Sequence, residues 1–175
     1  MTATGRIHPR LWKYMVFTSA EAVDSAFSSD KALRTADLFT RKALLLVRRL
    51  FQDGYGQLDK SRTGIVISTD IGPRESLRET ALQLRTGDYR QMNPSFFPNV
   101  MASTALSALT KELGIHGPAA SFTEADTNGA DAKLYAAVQM DAGRCDSMVY
   151  IRIDSGGWGE GQWYVPARVH KKDSE

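Results

Sequence analysis

The stretch Gly114-Ile-His-Gly-Pro-Ala-Ala-Ser-Phe-Thr-Glu-Ala-Asp-Thr-Asn-Gly129 predicts a turn, a short strand and the start of a helix. Gly117-Pro118 is a turn signal, and the apolar run 119–123 after it has the length of a buried strand. Asp126 then opens a predicted helix over residues 127–142. Because many α/β enzymes present a nucleophile where a strand meets a helix, Asp126 is the first candidate functional residue.

Asp126 has two interpretations, one chemical and one structural. As an acid or base it would lie at a helix N-terminus, where the helix dipole favours its ionised form. As an N-cap it would accept a hydrogen bond from a backbone N–H group of the first turn. Asp is among the best N-cap residues, so the residue pattern favours the cap.

The rest of the chain alternates predicted strands and helices. They are strand 13–19, helix 32–52, strand 63–69, helix 74–84, a helix from an Asn99 N-cap to Gly114, and a terminal hairpin of strands 146–154 and 162–169. This order predicts the α/β class, as a layered sandwich with a mostly parallel mixed sheet and a C-terminal hairpin. Strand 63–69 should be buried on both faces, and Pro166 should place the last strand at an edge or a bulge. Four residues should face inward from helix 127–142: Ala130, Leu134, Ala137 and Val138.

Length and composition predict one domain over residues 1–175, with residues 1–11 and 171–175 flexible. The formal net charge is +2 and the basic residues are scattered, so nucleic acid is not an expected partner. No apolar run approaches the roughly 20 residues of a membrane helix. The three histidines are not spaced as metal ligands, so no metal site is expected. The single cysteine, Cys145, is expected to be a packing residue. A chain with one cysteine also fits a cytoplasmic location, which is the expected one.

Several short signals in order resemble the N-terminal half of a β-ketoacyl synthase, of the thiolase superfamily. They are the helix start Ala32–Ala43, the strand Thr63–Thr69, Asn93-Pro94-Ser-Phe-Phe-Pro98, Leu113-Gly-Ile-His-Gly-Pro118, Ala125-Asp-Thr-Asn-Gly129 and Gly143-Arg-Cys-Asp146. The resemblance covers about residues 30–155. It places Asp126 where the family carries its nucleophilic cysteine, and the family's catalytic histidines and lysine belong to a C-terminal half beyond these signals.

The resemblance implies a non-catalytic, ketosynthase-like accessory or scaffold subunit of polyketide- or fatty-acid-type biosynthesis. Its expected partners are its own copy or another thiolase-fold subunit, and acyl carrier protein, with no cofactor. The candidate binding residues are Phe97, Glu124, Asp126, Thr127 and Asn128. Two alternatives stay open. One is an enzyme of the same pathway (a dehydratase, cyclase or hydrolase) that uses Asp126 as acid or base on an acyl chain. The other is a small-molecule binding module with a pocket at the strand ends.

Overall fold

The structure is a computed structural model of the 175-residue chain. It describes residues 8–16, 36–51, 59–85, 87, 94–125, 127–155 and 158–165. The strands are β1 (His8–Val16), β2 (Thr63–Thr69), β3 (Ala119–Thr123), β4 (Ser147–Ile153) and β5 (Trp158–Val165). The helices are α1 (Leu38–Phe51), α2 (Arg74–Arg85), α3 (Ala102–Leu113) and α4 (Ala130–Asp141), with a 3-10 helix over Pro94–Val100. No helix in these ranges is long and apolar enough to cross a membrane.

The five strands form one mixed sheet in the order β1-β5-β4-β2-β3. β2 pairs in parallel with both β3 and β4, whereas β5 runs antiparallel to its neighbours β4 and β1. The predicted α/β class, the mostly parallel sheet and the terminal hairpin of β4 and β5 are therefore confirmed. β2 occupies the predicted residues, and all seven of them are buried.

Helices cover both faces of the sheet. On one face, α1 and α3 pack on alternate residues of β2 and β4, which include Ile65, Ile67, Val149 and Ile151. On the other face, α4 packs through Ala132 and Ala136 on the intervening residues, which include Val66, Met148 and Tyr150. Successive side chains of a strand point to opposite faces of the sheet. The two central strands therefore contribute to two separate hydrophobic clusters, one on each face.

The first long helix begins six residues later than predicted. Asp37 is its N-cap: the carboxylate accepts hydrogen bonds from the Thr40 backbone N–H at 2.9 Å and from the Thr40 hydroxyl at 2.7 Å. The first of these bonds satisfies an otherwise unpaired N–H group in the first turn, so α1 starts at Leu38. Part of the predicted start, residues 32–35, lies outside the described residues.

Asn99 is not the N-cap that the sequence predicted. It lies inside the 3-10 helix, and α3 begins at Ala102 after Met101, whose side chain makes no cap hydrogen bond. The end of this helix is as predicted, because Gly114 adopts a left-handed conformation with φ of 62°. The 74–84 helix is also confirmed, one residue longer, although none of its residues is buried.

Three strand predictions were wrong in detail. β1 begins at His8, inside the expected flexible lead-in, because it pairs with β5 along its length. β5 begins at Trp158, so part of the expected glycine-rich turn is strand. β5 lies between β1 and β4 rather than at an edge, and Pro166, where a bulge was the alternative, lies outside the described residues. Strand 119–123 has the predicted bounds but is only partly buried, because β3 lies at the edge of the sheet.

The inward face of α4 is the opposite of the predicted one. Ala132, Ala136 and Gln139 are buried, while Leu134 and Val138 are 62% and 52% exposed. Apolar residues occur on both sides of this helix, so periodicity alone could not distinguish them.

Candidate functional site

Three polar side chains meet at the carboxyl ends of the parallel strands. Ser68 and Arg152 are the penultimate residues of β2 and β4, and Glu124 directly follows β3. All three are buried, with 0%, 4% and 5% exposure. Residues far apart in the chain meet here because parallel strands end at one edge of the sheet. Since α/β sheets usually bind ligands at this edge, we define Ser68, Glu124, Arg152 and the adjacent Asp154 as the strand-end cluster.

The Ser68 hydroxyl lies between the two buried charges of the cluster. It donates to Glu124 Oε2 at 2.8 Å and accepts from Arg152 Nη1 at 3.1 Å. Arg152 Nη1 itself is 4.0 Å from Glu124 Oε2. A buried ion pair is stable only when hydrogen bonds offset the hydration that its two charges lose on burial. Here the Ser68 hydroxyl makes one hydrogen bond with each of the two charged groups.

Asp154 adds a second carboxylate to the cluster. Its Oδ2 accepts from Arg152 Nε at 2.9 Å, and its Oδ1 is buried without a hydrogen bond from a described residue. The cluster thus holds one positive and two negative groups. The guanidinium of Arg152 contacts Asp154 through Nε, and Ser68 and Glu124 through Nη1. These contacts on two sides hold the guanidinium in one orientation.

Glu124 also holds the start of α4. Its Oε1 accepts from the backbone N–H of Ala132, the third residue of the helix, at 2.6 Å. The N-cap residue is Gly129, which has no side chain to perform this function. The prediction that Asp126 caps a helix starting at residue 127 was therefore wrong: the helix starts at Ala130, and Glu124 supplies the capping carboxylate. Asp126 itself lies outside the described residues.

Gly129 lets the first turn of α4 lie directly against β4. It has a φ of 79°, and a Cβ at this position would lie 2.1 Å from the Tyr150 hydroxyl and 3.4 Å from Ser68 Oγ. A side chain would therefore clash as well as strain the backbone. The Lys133 ammonium lies 5.1 Å from the centre of the Tyr150 ring, a second contact between this turn and the strand.

A neighbouring carboxylate connects the loops that follow β2 and β4. Asp70 Oδ1 accepts from the backbone N–H groups of Ser155 at 2.9 Å and Ile71 at 2.8 Å, and its Oδ2 accepts from the Ser155 hydroxyl. Burial by itself would raise the pKa of Asp70, but the hydrogen bonds from Ser155 and Ile71 outweigh it, so its pKa is lowered.

The other candidate binding residues do not join the cluster. Thr127 and Asn128 are exposed in the turn before α4, and Asn128 has a positive φ of 50°. Phe97 is 58% exposed in the 3-10 helix. Of the five predicted residues, the structure thus places Glu124 inside the cluster and three others on the surface. A cavity of about 230 Å³ lies elsewhere, between α2 and the start of α1, with Asp37, Arg41 and Glu79 in its lining.

Cys145 is a packing residue of the core, as the residue pattern predicted. It is 1% exposed and belongs to the core cluster beneath α4. Burial raises the pKa of its thiol, which keeps the thiol protonated and unreactive. Within the described ranges, no group of three or more His, Cys, Asp or Glu residues is arranged to hold a metal ion.

Comparison with known proteins identifies the family. Residues 5–151 match the family model described as the N-terminal domain of β-ketoacyl synthase. The chain belongs to the β-ketoacyl synthase family. All of the signals that suggested this resemblance lie inside the matched range, and Glu124 of the strand-end cluster directly precedes the signal Ala125–Gly129.

Solved structures agree with this fold. The ishigamide ketosynthase/chain length factor superposes with a TM-score of 0.72 at 17% identity, covering 86% of this chain and 49% of that one. A type II polyketide synthase acyl-carrier protein in complex with its ketosynthase gives 0.73 at 13% identity, covering 93% and 63%. A ketosynthase in complex with its chain length factor from Xenorhabdus doucetiae gives 0.62 at 12%, covering 91% and 79%. The chain therefore spans about half to two thirds of the first two.

Sequence reasoning missed Ser68, Arg152 and Asp154. The signal was present, because Ser68 and Arg152 are polar interruptions of apolar strand sequences at equivalent positions, one residue before each strand ends. To predict that these two side chains lie close together, one has to know that β2 and β4 are adjacent parallel strands. In this chain, β2 and β4 end beside the segment that follows β3.

Proposed function

We propose that this chain is a non-catalytic, ketosynthase-like accessory subunit of polyketide- or fatty-acid-type biosynthesis. In this role it pairs with a thiolase-fold subunit, either its own copy or a different chain. The single observation that carries the proposal is the open edge of β3. The solved relatives include a ketosynthase with its chain length factor and an acyl-carrier protein with its ketosynthase, so acyl carrier protein is a further expected partner.

The hydrogen bonds of β3 show which of its backbone groups are free to pair. Ile65 N–H donates to the Pro118 carbonyl at 2.9 Å, and Glu124 N–H donates to the Thr69 carbonyl at 2.7 Å. In a parallel ladder alternate residues face the partner strand, so residues 120 and 122 also face β2. The N–H and C=O groups of Ala119, Ser121 and Thr123 therefore point away from the sheet, available to a strand of another subunit.

The strand-end cluster supports the non-catalytic part of the proposal. Both oxygens of Glu124 accept hydrogen bonds, from Ser68 and from Ala132 N–H, in a position that is 5% exposed. A buried carboxylate with these partners serves to hold the helix start rather than to attack a substrate. The sequence resemblance puts Asp126 at the position of the family's cysteine, and an ionised carboxylate is a poorer nucleophile toward thioesters than a thiolate.

A substitution at Ser121 tests pairing through the edge. Ser121→Pro removes one outward N–H group without touching the ladder to β2, and Ser121→Ala retains that group as the matched control. The wild type and the Ala variant should have the mass of a pair in light scattering, alone or with a co-expressed thiolase-fold subunit. The Pro variant should fall to the mass of one chain, 19.3 kDa.

Two results would contradict the proposal. One is a wild-type chain that stays monomeric and binds no thiolase-fold subunit. The other is condensation of acyl-thioester substrates by the purified wild-type protein, measured by mass spectrometry of the products. Circular dichroism of the Pro variant serves as the control for folding, because only a folded variant reports on pairing.

A further inference from the structure

Residues 127–130 form a tight turn directly before α4, which we call the Asn-Gly turn. The carbonyl of Thr127 accepts a hydrogen bond from the backbone N–H of Ala130 at 3.0 Å, which closes the turn. Both central residues have a positive φ, 50° at Asn128 and 79° at Gly129, and Gly129 has a ψ of 15°. A hydrogen-bonded turn with two left-handed central residues is of type I′, for which Asn-Gly is a preferred pair. The turn type therefore sets the backbone conformation at Asn128.

An asparagine followed by a glycine is chemically reactive in an unconstrained chain. Because glycine has no Cβ, its backbone nitrogen is uncrowded and can attack the side-chain amide carbon of the preceding asparagine. The chain has three asparagines: Asn93 precedes a proline, which has no N–H group, and Asn99 precedes the β-branched Val100. Asn128 alone precedes a glycine, and its side chain is exposed to water.

We propose that Asn128 is a site of spontaneous deamidation, and that opening of the Asn-Gly turn controls its rate. The Gly129 nitrogen loses its proton to water or hydroxide and bonds to Asn128 Cγ, and the side-chain nitrogen takes up a proton and leaves as ammonia. Water then opens the resulting five-membered succinimide ring. Cleavage between this nitrogen and Cγ gives aspartate, and cleavage at the main-chain carbonyl gives isoaspartate, whose backbone runs through Cγ. Water is the only co-reactant, so no oxidant or reductant is needed.

The closed turn opposes this reaction because it holds the reacting atoms apart. In a type I′ turn the first central residue has a ψ of roughly +30°. For an L-residue this value places Cβ on the opposite side of the Cα–C bond from the next backbone nitrogen, whereas ring closure needs the two nearly eclipsed. Asn128 must therefore rotate by more than a quarter turn about that bond, so the Asn-Gly turn has to open before the ring can form.

Two contacts at the start of α4 hold the turn closed. Gly129 packs so closely on β4 that an added Cβ would lie 2.1 Å from the Tyr150 hydroxyl. The buried Glu124 Oε1 accepts from the backbone N–H of Ala132 at 2.6 Å. This bond closes a loop of chain that contains Asn128, so a large backbone rotation at Asn128 moves the two bonded groups apart. The carboxylate of Glu124 therefore controls how often Asn128 reaches a reactive conformation.

The two products differ in what they do to the start of α4. Isoaspartate lengthens the backbone by one carbon at position 128, so the turn cannot return to a geometry that fits Gly129 against Tyr150. Aspartate keeps the normal backbone, and Asp-Gly is itself a preferred pair for a type I′ turn. Formation of isoaspartate therefore leaves the start of the helix permanently loosened, whereas formation of aspartate does not.

Peptide mapping by mass spectrometry tests whether the turn controls the reaction. The full chain is kept at mildly alkaline pH and physiological temperature, and conversion of Asn128 is followed over days as a gain of one mass unit. Conversion should be at least roughly tenfold slower in the folded protein than in urea, because only molecules with an open turn react. Asn99 is the internal control and should convert much more slowly than Asn128 in urea.

Substitution at Glu124 tests the control by the start of α4. Glu124→Gln should accelerate conversion in the folded protein by roughly tenfold, because it weakens the bond that closes the loop around Asn128. Glu112→Gln, which removes an exposed ion pair with Arg48, should leave the rate unchanged. Ser68→Ala removes one donor to Glu124 and should accelerate conversion less, which provides a second variant if Glu124→Gln does not fold. Circular dichroism shows which variants are folded.

Three results would overturn the proposal. Conversion of Asn128 no faster than that of Asn99 in urea would show that Asn128 is not a reactive site. Equal rates in folded and unfolded wild type would show that the turn gives no protection. Equal rates in the folded variants at positions 124 and 112, or no acceleration in Ser68→Ala where it replaces the first variant, would show that the start of α4 does not control the reaction.

Hydrogen exchange tests the structural consequence of the reaction. Deamidated protein has one more negative charge, so ion exchange isolates it, and Asn128→Asp is the control with the same charge and a normal backbone. Amides of residues 131–133 should lose protection in the isoaspartate-containing fraction and keep it in Asn128→Asp. Equal protection in the two would overturn the loosening of α4. None of these measurements depends on pairing at the β3 edge, so this inference and the proposed function are tested separately.

Discussion

Glu124 is the residue on which the strand-end cluster depends. Its carboxylate accepts from Ser68 on the sheet and from Ala132 N–H in the helix, and it lies 4.0 Å from Arg152. Glu124→Gln should lower the free energy of unfolding by about 2 kcal/mol, because it removes charge-assisted hydrogen bonds from a buried site. Urea unfolding followed by circular dichroism measures this change.

Glu112 offers the matched control for that substitution. It pairs with Arg48 at 2.7 Å, but both side chains are about one-third exposed. Glu112→Gln should change the free energy of unfolding by less than about 0.5 kcal/mol, because exposed ion pairs contribute little. Equal effects at positions 112 and 124 would mean that the buried carboxylate does not hold α4 to the sheet.

The sequence predicted most elements, and the failures have physical causes at particular residues. The short run 63–69, apolar at its centre and bounded by turn signals, correctly predicted a buried strand, and the glycine at 114 correctly ended α3. The orientation of α4 could not be predicted, because it is set by Gly129 against Tyr150 and by Glu124, which are contacts between distant parts of the chain. The sequence identified only one member of the strand-end cluster, Glu124. Its partners could be predicted only from the order of the strands in the sheet.

Asp70 illustrates how one carboxylate connects two elements. Because its hydrogen bonds lower its pKa in the folded protein, the carboxylate contributes stability above the unfolded value of about 3.9. That contribution is lost as the pH falls through the folded pKa. Asp70→Asn should therefore cost about 1 kcal/mol at pH 7, and the difference from wild type should shrink between pH 5 and pH 3.

Chemical denaturation across that pH range measures the effect. Asp141→Asn, an exposed position at the end of α4, is the control and should differ little from wild type at any pH. A difference between Asp70→Asn and wild type that stays constant down to pH 3 would contradict the assigned role, because it would show a contact that does not depend on ionisation.

On the scale of the whole molecule, stability should be concentrated in the sheet centre and should be low in α2. All seven residues of β2 and of β4 are buried, between two helical layers. α2 and α3 are each 12 residues long, but α3 buries Ala105 and Leu109 whereas α2 buries none of its residues. Local opening should therefore be much easier in α2, since little apolar surface holds it to the rest of the protein.

Native-state hydrogen exchange measures this difference residue by residue. Amides of β2 and β4 should exchange only through global unfolding, and those of α2 should be less protected than those of α3 by roughly a hundredfold. Adding urea provides the control, because exchange through global unfolding accelerates with denaturant and exchange through local opening hardly does. Equal protection of α2 and α3 would contradict this distribution, since equal length would then matter more than the buried contacts that only α3 makes.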